Sequence, residues 1–539
     1  MNGSDYFKSS LMIAMSACVA ILLTQNAGVL FYIGILGGLF LVLAAAASPW
    51  HGLLALFPLV FALRPAPPSV GTQELIFAAL TATVFVSTFI RLFRIRSIKS
   101  IFRFFAWPLL IGIGLLCLNL LIAMKHHVPV QDWIRGVTPF LFIFALMPVC
   151  VLINGEQKNI YWIGASIGAL VLLSAGHIVL YYFQYDIWQP YWTVLVDGEQ
   201  IRLSREAALN MANTVGPLRD RITMLLPQAT DALLPSGMAA GFVINTLTRN
   251  RYIALVSAFI SLLCLTAVLI TLTRSMLISG VATIALFSIY IFVTHKNLRV
   301  KISANITTQL VLGLVFIFST GMDQSWLGRL NSLSDAALPM ATAPISSNTP
   351  ENTEIIVLNT ITKKKEDFNV ASRVKEYEIA WDMFLSSPVF GNGIGVKHEM
   401  HWEKPDGSSL IELVGYIHNW PLYMLMVSGV LGLLTYTLII MGPALYKLTT
   451  LKSEPNYLTV IRITVMTMAI YGLFFAVFRL ISFNILLATA WGLIYAQKWP
   501  MQKISDSAKN TELNTPQCSA TEHAIKNKVT DQQNREQPV

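Results

Sequence analysis

Apolar residues run in long blocks through most of this 539-residue chain. A block of about 20 such residues is long enough to cross the hydrocarbon core of a bilayer as a helix. Fourteen blocks stand out, near 11–27, 29–47, 52–64, 73–90, 104–123, 136–153, 161–183, 231–248, 252–273, 275–294, 304–320, 418–441, 458–478 and 481–497. The third is short and the last two can form one tight hairpin, so the pattern predicts about 12 to 14 spans. None alternates apolar and polar residues at period two, as a membrane β-barrel strand does. The expected fold class is all-α: a polytopic transmembrane helical bundle. The first block follows Lys8 and resembles a signal peptide, but a second block follows at once, so it reads as the first span.

Two long polar stretches interrupt the pattern, at 184–230 and 321–417. Connections of that length are uncommon unless functional or disordered. The first half of the second stretch (334–369) is rich in Ser, Thr, Pro, Asn and Ala and reads as a spacer. Its second half reads as ordered. Val374, Tyr377, Trp381 and Phe384 recur at three- and four-residue spacing between charged residues, which predicts an amphipathic helix over 373–385 lying on the membrane surface. A glycine turn follows (Pro388, Gly391, Gly393, Gly395). The chain thus divides into N-terminal helices (1–183), a first loop (184–230), a middle group (231–320), a large loop (321–417), C-terminal helices (418–497) and a polar, disordered tail (498–539).

Composition agrees with the pattern: 55% of residues are hydrophobic and 12% charged, with mean hydropathy +0.60. A soluble chain cannot hide that much apolar surface. The net charge of +9 sets topology rather than implying a nucleic-acid partner, because basic residues concentrate in loops that stay inside. Loop 91–103, with Arg91, Arg94, Arg96, Lys99 and Arg103, belongs inside. The same choice places about three times as many basic residues at inner as at outer helix ends, with both termini cytoplasmic. Four of the five cysteines (Cys18, Cys117, Cys150, Cys264) fall in apolar blocks and Cys518 in the tail, so no disulfide framework is implied.

The candidate chemistry collects in the outer connections. Arg135, Arg274 and Arg479 sit at outer helix ends against the charge bias, and Arg202, Arg205, Arg219, Arg221 and Arg373 sit in the outer loops. Loop acids such as Glu206, Asp220 and Glu376 can pair with some of them. As a set, they suit a bound anion, since guanidinium makes planar, bidentate contacts to phosphate. Arg274 lies between two apolar helices, where it must meet a counter-charge or snorkel to the interface. His418, followed by Asn419, opens a helix and can take a proton from a hydroxyl near neutral pH, or serve as a hydrogen-bonded interfacial side chain. His398 and His401 lack the four-residue spacing of a helical zinc pair, and the outer loops hold no Asp-x-Asp, so no metal is expected. Gly391-Asn392-Gly393-Ile394-Gly395 follows no strand and is not a dinucleotide fingerprint.

These residues together resemble a known family. An Arg-initiated amphipathic helix with Trp (Arg373, Trp381) leads to Pro-x-x-Gly-x-Gly-x-Gly (Pro388 to Gly395). His418-Asn419 then opens a helix with a Gly429, Gly432 step, and Thr273-Arg274-Ser275 closes an earlier span. The pattern covers roughly 230–440 and is similar to the superfamily of bacterial O-antigen ligases and polymerases, membrane glycosyltransferases of GT-C-like architecture. The resemblance implies a bacterial inner-membrane enzyme without cofactor or metal. The donor would be a glycan on undecaprenyl diphosphate, and the acceptor a hydroxyl of lipid A core or a growing polysaccharide, with inversion at the sugar. It implies catalytic roles for His418, Arg274 and Arg373, and substrate contacts from Arg202, Arg205, Arg219, Trp381 and Asn419. The amphipathic helix would guide the polyprenyl chain among membrane lipids. Ligase and polymerase stay open alternatives.

Two other classes remain. A polysaccharide transporter or flippase would place ionisable groups at mid-membrane, whereas these spans are nearly uncharged at their centres. A non-catalytic assembly protein would tolerate loss of His418.

Overall fold

The computed structural model describes residues 3–25, 28–63, 71–95, 98–153, 156–183, 191–196, 199–203, 222–225, 230–271, 273–321, 323, 373–403, 409–446 and 457–498. Residues 1–497 form one compact unit, and the tail from Lys498 onward is a separate unit. The expected loop contacts of Arg205 and Arg219 lie outside the described residues, as do the spacer and the tail beyond residue 498.

Each of the fourteen apolar blocks contains helix among its described residues. Among the described residues, ten helices are long and apolar enough to cross a membrane, and four shorter apolar helices occupy Pro49–Ala62, Leu233–Leu247, Thr459–Tyr471 and Ile481–Ala496. The order is α1 Gly3–Thr24, α2 Val29–Ala47, α3 Pro49–Leu59, α4 Thr72–Ile95, α5 Ile98–Lys125, α6 Val130–Leu141, α7 Leu146–Ile153 and α8 Gln157–Tyr182. There follow α9 Thr230–Leu247, α10 Arg251–Thr271, α11 Arg274–Thr294 and α12 Arg299–Ser319. The amphipathic helix α13 covers 373–386. Then come α14 Trp420–Leu445, α15 Tyr457–Tyr471 and α16 Ile481–Lys498. Helices dominate because they satisfy every backbone polar group internally, which a lipid environment requires.

Between spans the structure relies on small polar groups, which draw helices together where hydrocarbon itself offers no driving force. Ser261 on α10 donates to Met238 O on α9 at 2.7 Å and accepts from Gln309 Nε2 of α12 at 2.6 Å. Asn305 Nδ2 donates to Thr246 Oγ1 at 2.9 Å, which fastens α12 to α9.

The two long polar stretches contain two small sheets that the hydrophobic pattern does not foretell. Strands β1 Tyr191–Val196, β2 Glu199–Leu203 and β3 Ile222–Leu225 form an antiparallel sheet in the order β2-β1-β3. Arg202 sits on β2 opposite Thr193. Strands β4 His398–Glu403 and β5 Ser409–Val414 pair antiparallel, with His398 opposite Val414.

Helix α14 is not one straight span. Gly429 takes φ 61° and ψ −162° in its middle. The rings of Trp420 and Tyr436 lie 5.8 Å apart between centroids, whereas sixteen residues of straight helix would separate them by about 24 Å. The two arms, 420–428 and 430–445, therefore fold toward each other. A break of this kind strands backbone groups that must find new partners. The glycine stretch supplies them: Asn392 N and Gly393 N donate to Met426 O and Val427 O at 3.0 and 2.9 Å, while Val430 N and Leu431 N donate to Pro388 O and Val389 O at 2.9 and 3.3 Å. The stretch is therefore more than the turn expected from sequence; it is spliced into the break. Gly391 and Gly429 are required there. Both have positive φ, and a Cβ at either would sit 2.3–2.4 Å from the opposite backbone.

Asn119 of α5 locks this junction. Its Nδ2 donates to Val427 O at 3.1 Å and Ser428 Oγ at 3.0 Å. Its Oδ1 accepts from Ile394 N at 2.9 Å and Trp133 Nε1 at 3.1 Å. All the hydrogen bonds an amide side chain can make are thus in place.

Candidate functional site

Helix α13 turns one face to the protein. Glu376 and Ala380 are buried, while Val374, Trp381 and Leu385 are exposed. The exposed stripe continues through Val389 and Phe390. The Trp381 ring contacts Phe384 at 5.1 Å.

The buried carboxylate of Glu376 meets the imidazole of His418. Nδ1 lies 2.9 Å from Oε1 and 3.2 Å from Oε2. Arg373 Nη1 donates to Oε2 of the same carboxylate at 3.1 Å, one helical turn back. Side-chain exposure falls from 42% at Arg373 and 17% at His418 to 5% at Glu376, so cation and imidazole face the surface and the acid sits behind them. Burial pushes the Glu376 carboxyl up to about 7, against the lowering pull of Arg373. An ionised Glu376 accepts a proton-bearing Nδ1, which leaves Nε2 of a neutral His418 as an acceptor. Glu376 is the residue that sequence reasoning left among general loop acids. Its position three residues after Arg373, on the face opposite Trp381, was the available signal.

Aromatic rings hold His418 on its other sides. Tyr416 meets it edge-on at 5.0 Å and Phe475 at 6.0 Å. Tyr377 OH donates to His418 O at 3.5 Å, a long contact. Asn419 is committed to the helix: its Oδ1 caps α14 by accepting from Leu422 N at 3.0 Å, and its Nδ2 donates to Leu473 O at 3.3 Å. Trp420 N donates to Gly472 O at 3.0 Å, which fixes the start of α14 to the end of α15.

Arg274 opens α11 after Thr273, whose backbone is extended, and is half-buried. Helix α11 packs against α15, whose end meets the start of α14 through Gly472 and Trp420. The structure joins Arg373 to His418 through Glu376. Among the described residues no group of three or more His, Cys, Asp or Glu is placed to hold a metal ion. Strand β4 sets positions 398 and 401 on opposite faces.

Beside the site, an apolar cavity of about 140 Å³ opens in the angle of α14, lined by Leu115, Phe140, Phe390, Ile394, Met424 and Leu431, with others. Phe390 belongs both to this lining and to the exposed stripe that starts on α13.

Residues 259–437, from within α10 to the second arm of α14, match the family model described as O-antigen ligase. Residues 259–437 are thus similar to an O-antigen ligase domain. The match spans about a third of the sequence and takes in Arg274, Arg373, Glu376, the glycine stretch and His418. It supports membership of the O-antigen ligase and polymerase superfamily, in a multi-pass helical protein. No curated protein matches the chain. The matched region ends before Phe475 and Arg479 and begins after Asn119, so helices outside it also build the site and its support.

Proposed function

We propose that the protein transfers a glycan from a polyprenyl diphosphate to an acceptor hydroxyl at the outer face of a bacterial inner membrane. The observation that carries this reading is the Arg373–Glu376–His418 arrangement, in which one buried carboxylate serves both an arginine and an imidazole. His418 Nε2 takes the proton of the acceptor hydroxyl as its oxygen attacks the anomeric carbon. The bond from that carbon to the diphosphate oxygen breaks, and its electron pair leaves with the diphosphate. Attack opposite the leaving group inverts the sugar configuration. Glu376 holds Nδ1–H and stabilises the imidazolium that forms. Arg373, together with Arg274, stabilises the charge growing on the diphosphate, a role that a cation fills in other enzymes.

The polyprenyl chain follows the exposed stripe of Trp381, Leu385 and Phe390 toward the cavity in α14. Lipid A core and a growing polysaccharide both offer a suitable hydroxyl, so ligase and polymerase share this chemistry. The acceptor separates them: a strain lacking the gene shows no long chains on lipid A core if the protein is a ligase, and a single repeat on core if it is a polymerase. The test of the reaction itself is transfer of labelled glycan from undecaprenyl diphosphate by the purified protein in vesicles. Transport of that lipid without any transfer would point to a flippase instead.

A further inference from the structure

The aromatic side of His418 carries a second cation. The 3-10 turn Val477–Arg479 precedes α16, and the Arg479 guanidinium carbon lies 4.4 Å from the centroid of the Tyr416 ring. Tyr416 in turn meets His418 edge-on at 5.0 Å. Arg373 thus reaches the imidazole through Glu376, and Arg479 through Tyr416.

Their charge balance differs. Arg373 has a carboxylate partner. Arg479 is exposed and has no carboxylate partner among the described residues. Stacking a guanidinium on a ring leaves its N–H edge free for in-plane hydrogen bonds, the geometry that suits phosphate oxygens. The guanidinium already lies against the Tyr416 ring before any ligand arrives, which reduces the ordering cost of binding. Arg479 also lies outside the matched family domain.

We propose that Arg479 is a phosphate-binding residue of this site and contacts the donor diphosphate beside His418. The inference rests on the reading of the protein as a diphosphate-dependent glycosyltransferase. The ring of Tyr416 orients the guanidinium and holds it beside the imidazole, so the diphosphate is gripped by both arginines while His418 faces the acceptor. Anionic bilayer headgroups offer the same phosphate chemistry from another source, and the experiment separates the two.

The experiment measures binding of undecaprenyl diphosphate to the full-length protein in neutral phosphatidylcholine vesicles, and again with phosphatidylglycerol added. Arg479→Gln is expected to weaken binding about tenfold or more, the worth of one or two charge-assisted hydrogen bonds. Arg479→Lys is expected to recover part of that loss, because it restores the charge without the planar fork. His418→Ala is expected to bind normally and to transfer nothing. A merely structural Arg479 would leave the binding constant unchanged in both Arg479 variants and shift only thermal stability; that result overturns the inference. A loss in Arg479→Gln that appears only with phosphatidylglycerol assigns Arg479 to the bilayer and also overturns it. If wild-type protein fails to bind undecaprenyl diphosphate at all, the functional reading itself falls, an outcome distinct from equal binding by wild type and Arg479→Gln.

Discussion

Glu376 and His418 are 42 positions apart in sequence and meet at 2.9 Å. One belongs to a surface helix and the other to the residue that precedes a membrane helix, so the pair exists only when the large loop folds back onto the bundle. The glycine stretch enforces that return by replacing the backbone hydrogen bonds α14 loses at Gly429. The Glu376–His418 pair and the break in α14 are therefore one structural unit.

Glu376→Gln keeps the shape of the side chain and removes its charge. The amide can no longer stabilise an imidazolium, and it can turn its NH2 toward Nδ1. Transfer is expected to fall roughly 100-fold or more, within the usual range for general-base catalysis, while the protein inserts and melts nearly as wild type. Initial rates in vesicles, with melting followed by tryptophan fluorescence, check this. An unchanged rate would remove Glu376 from the mechanism.

The pH dependence follows from the same carboxyl. Burial raises its pKa to about 7, above that of an unfolded carboxylate. The folded chain then holds this proton more tightly than the unfolded chain does. Its stability contribution is complete below the ordinary carboxylate range and is lost as pH rises through about 7. Activity runs the other way, because the ionised carboxylate orients His418. The kcat/KM profile should show an acid limb near neutral pH, with that limb displaced or absent in Glu376→Gln. Identical profiles for the two proteins would contradict the assignment.

Gly429→Ala tests the splice. A methyl group there must adopt φ 61° and meet Val389 C at 2.4 Å. The expected cost is more than about 2 kcal/mol, from backbone strain and displaced packing. A melting temperature equal to wild type in detergent would show that α14 tolerates a different path.

Asn119→Leu should be similarly severe although Asn119 lies far from the site in sequence. It leaves Val427 O, Ile394 N and Trp133 Nε1 without their side-chain partner. The expected loss is at least about 2 kcal/mol, from buried groups left unpaired. Asn119→Asp keeps the acceptors for Ile394 and Trp133 and loses the donors to Val427 and Ser428. Its melting point should fall between wild type and Asn119→Leu; the reverse order would refute the hydrogen-bond account.

Much of the fold is legible from the residues themselves, because a helix that spans lipid must be a long apolar run. The amphipathic helix is legible for a related reason: its apolar positions recur at helical spacing from Val374 to Phe384. The break in α14 is not, since Gly429 looks like any glycine in a membrane helix until the partner stretch is seen 34 to 41 positions earlier. The hairpin of β4 and β5 is hidden for another reason, as its residues mix charged and apolar types without a clean alternation. At the site, His418 and Arg373 are suggested by their positions at helix starts. Glu376 is obscured because an acid between surface lysine and tyrosine reads as solvent-facing, and only the docking of α13 buries it.

The most direct measurement is in vitro transfer of labelled glycan from undecaprenyl diphosphate to purified acceptor, by wild type and by His418→Ala and Arg274→Ala proteins reconstituted at equal amounts. The account predicts transfer by wild type and none by either variant, with donor binding kept by His418→Ala. Normal transfer by both variants would contradict it.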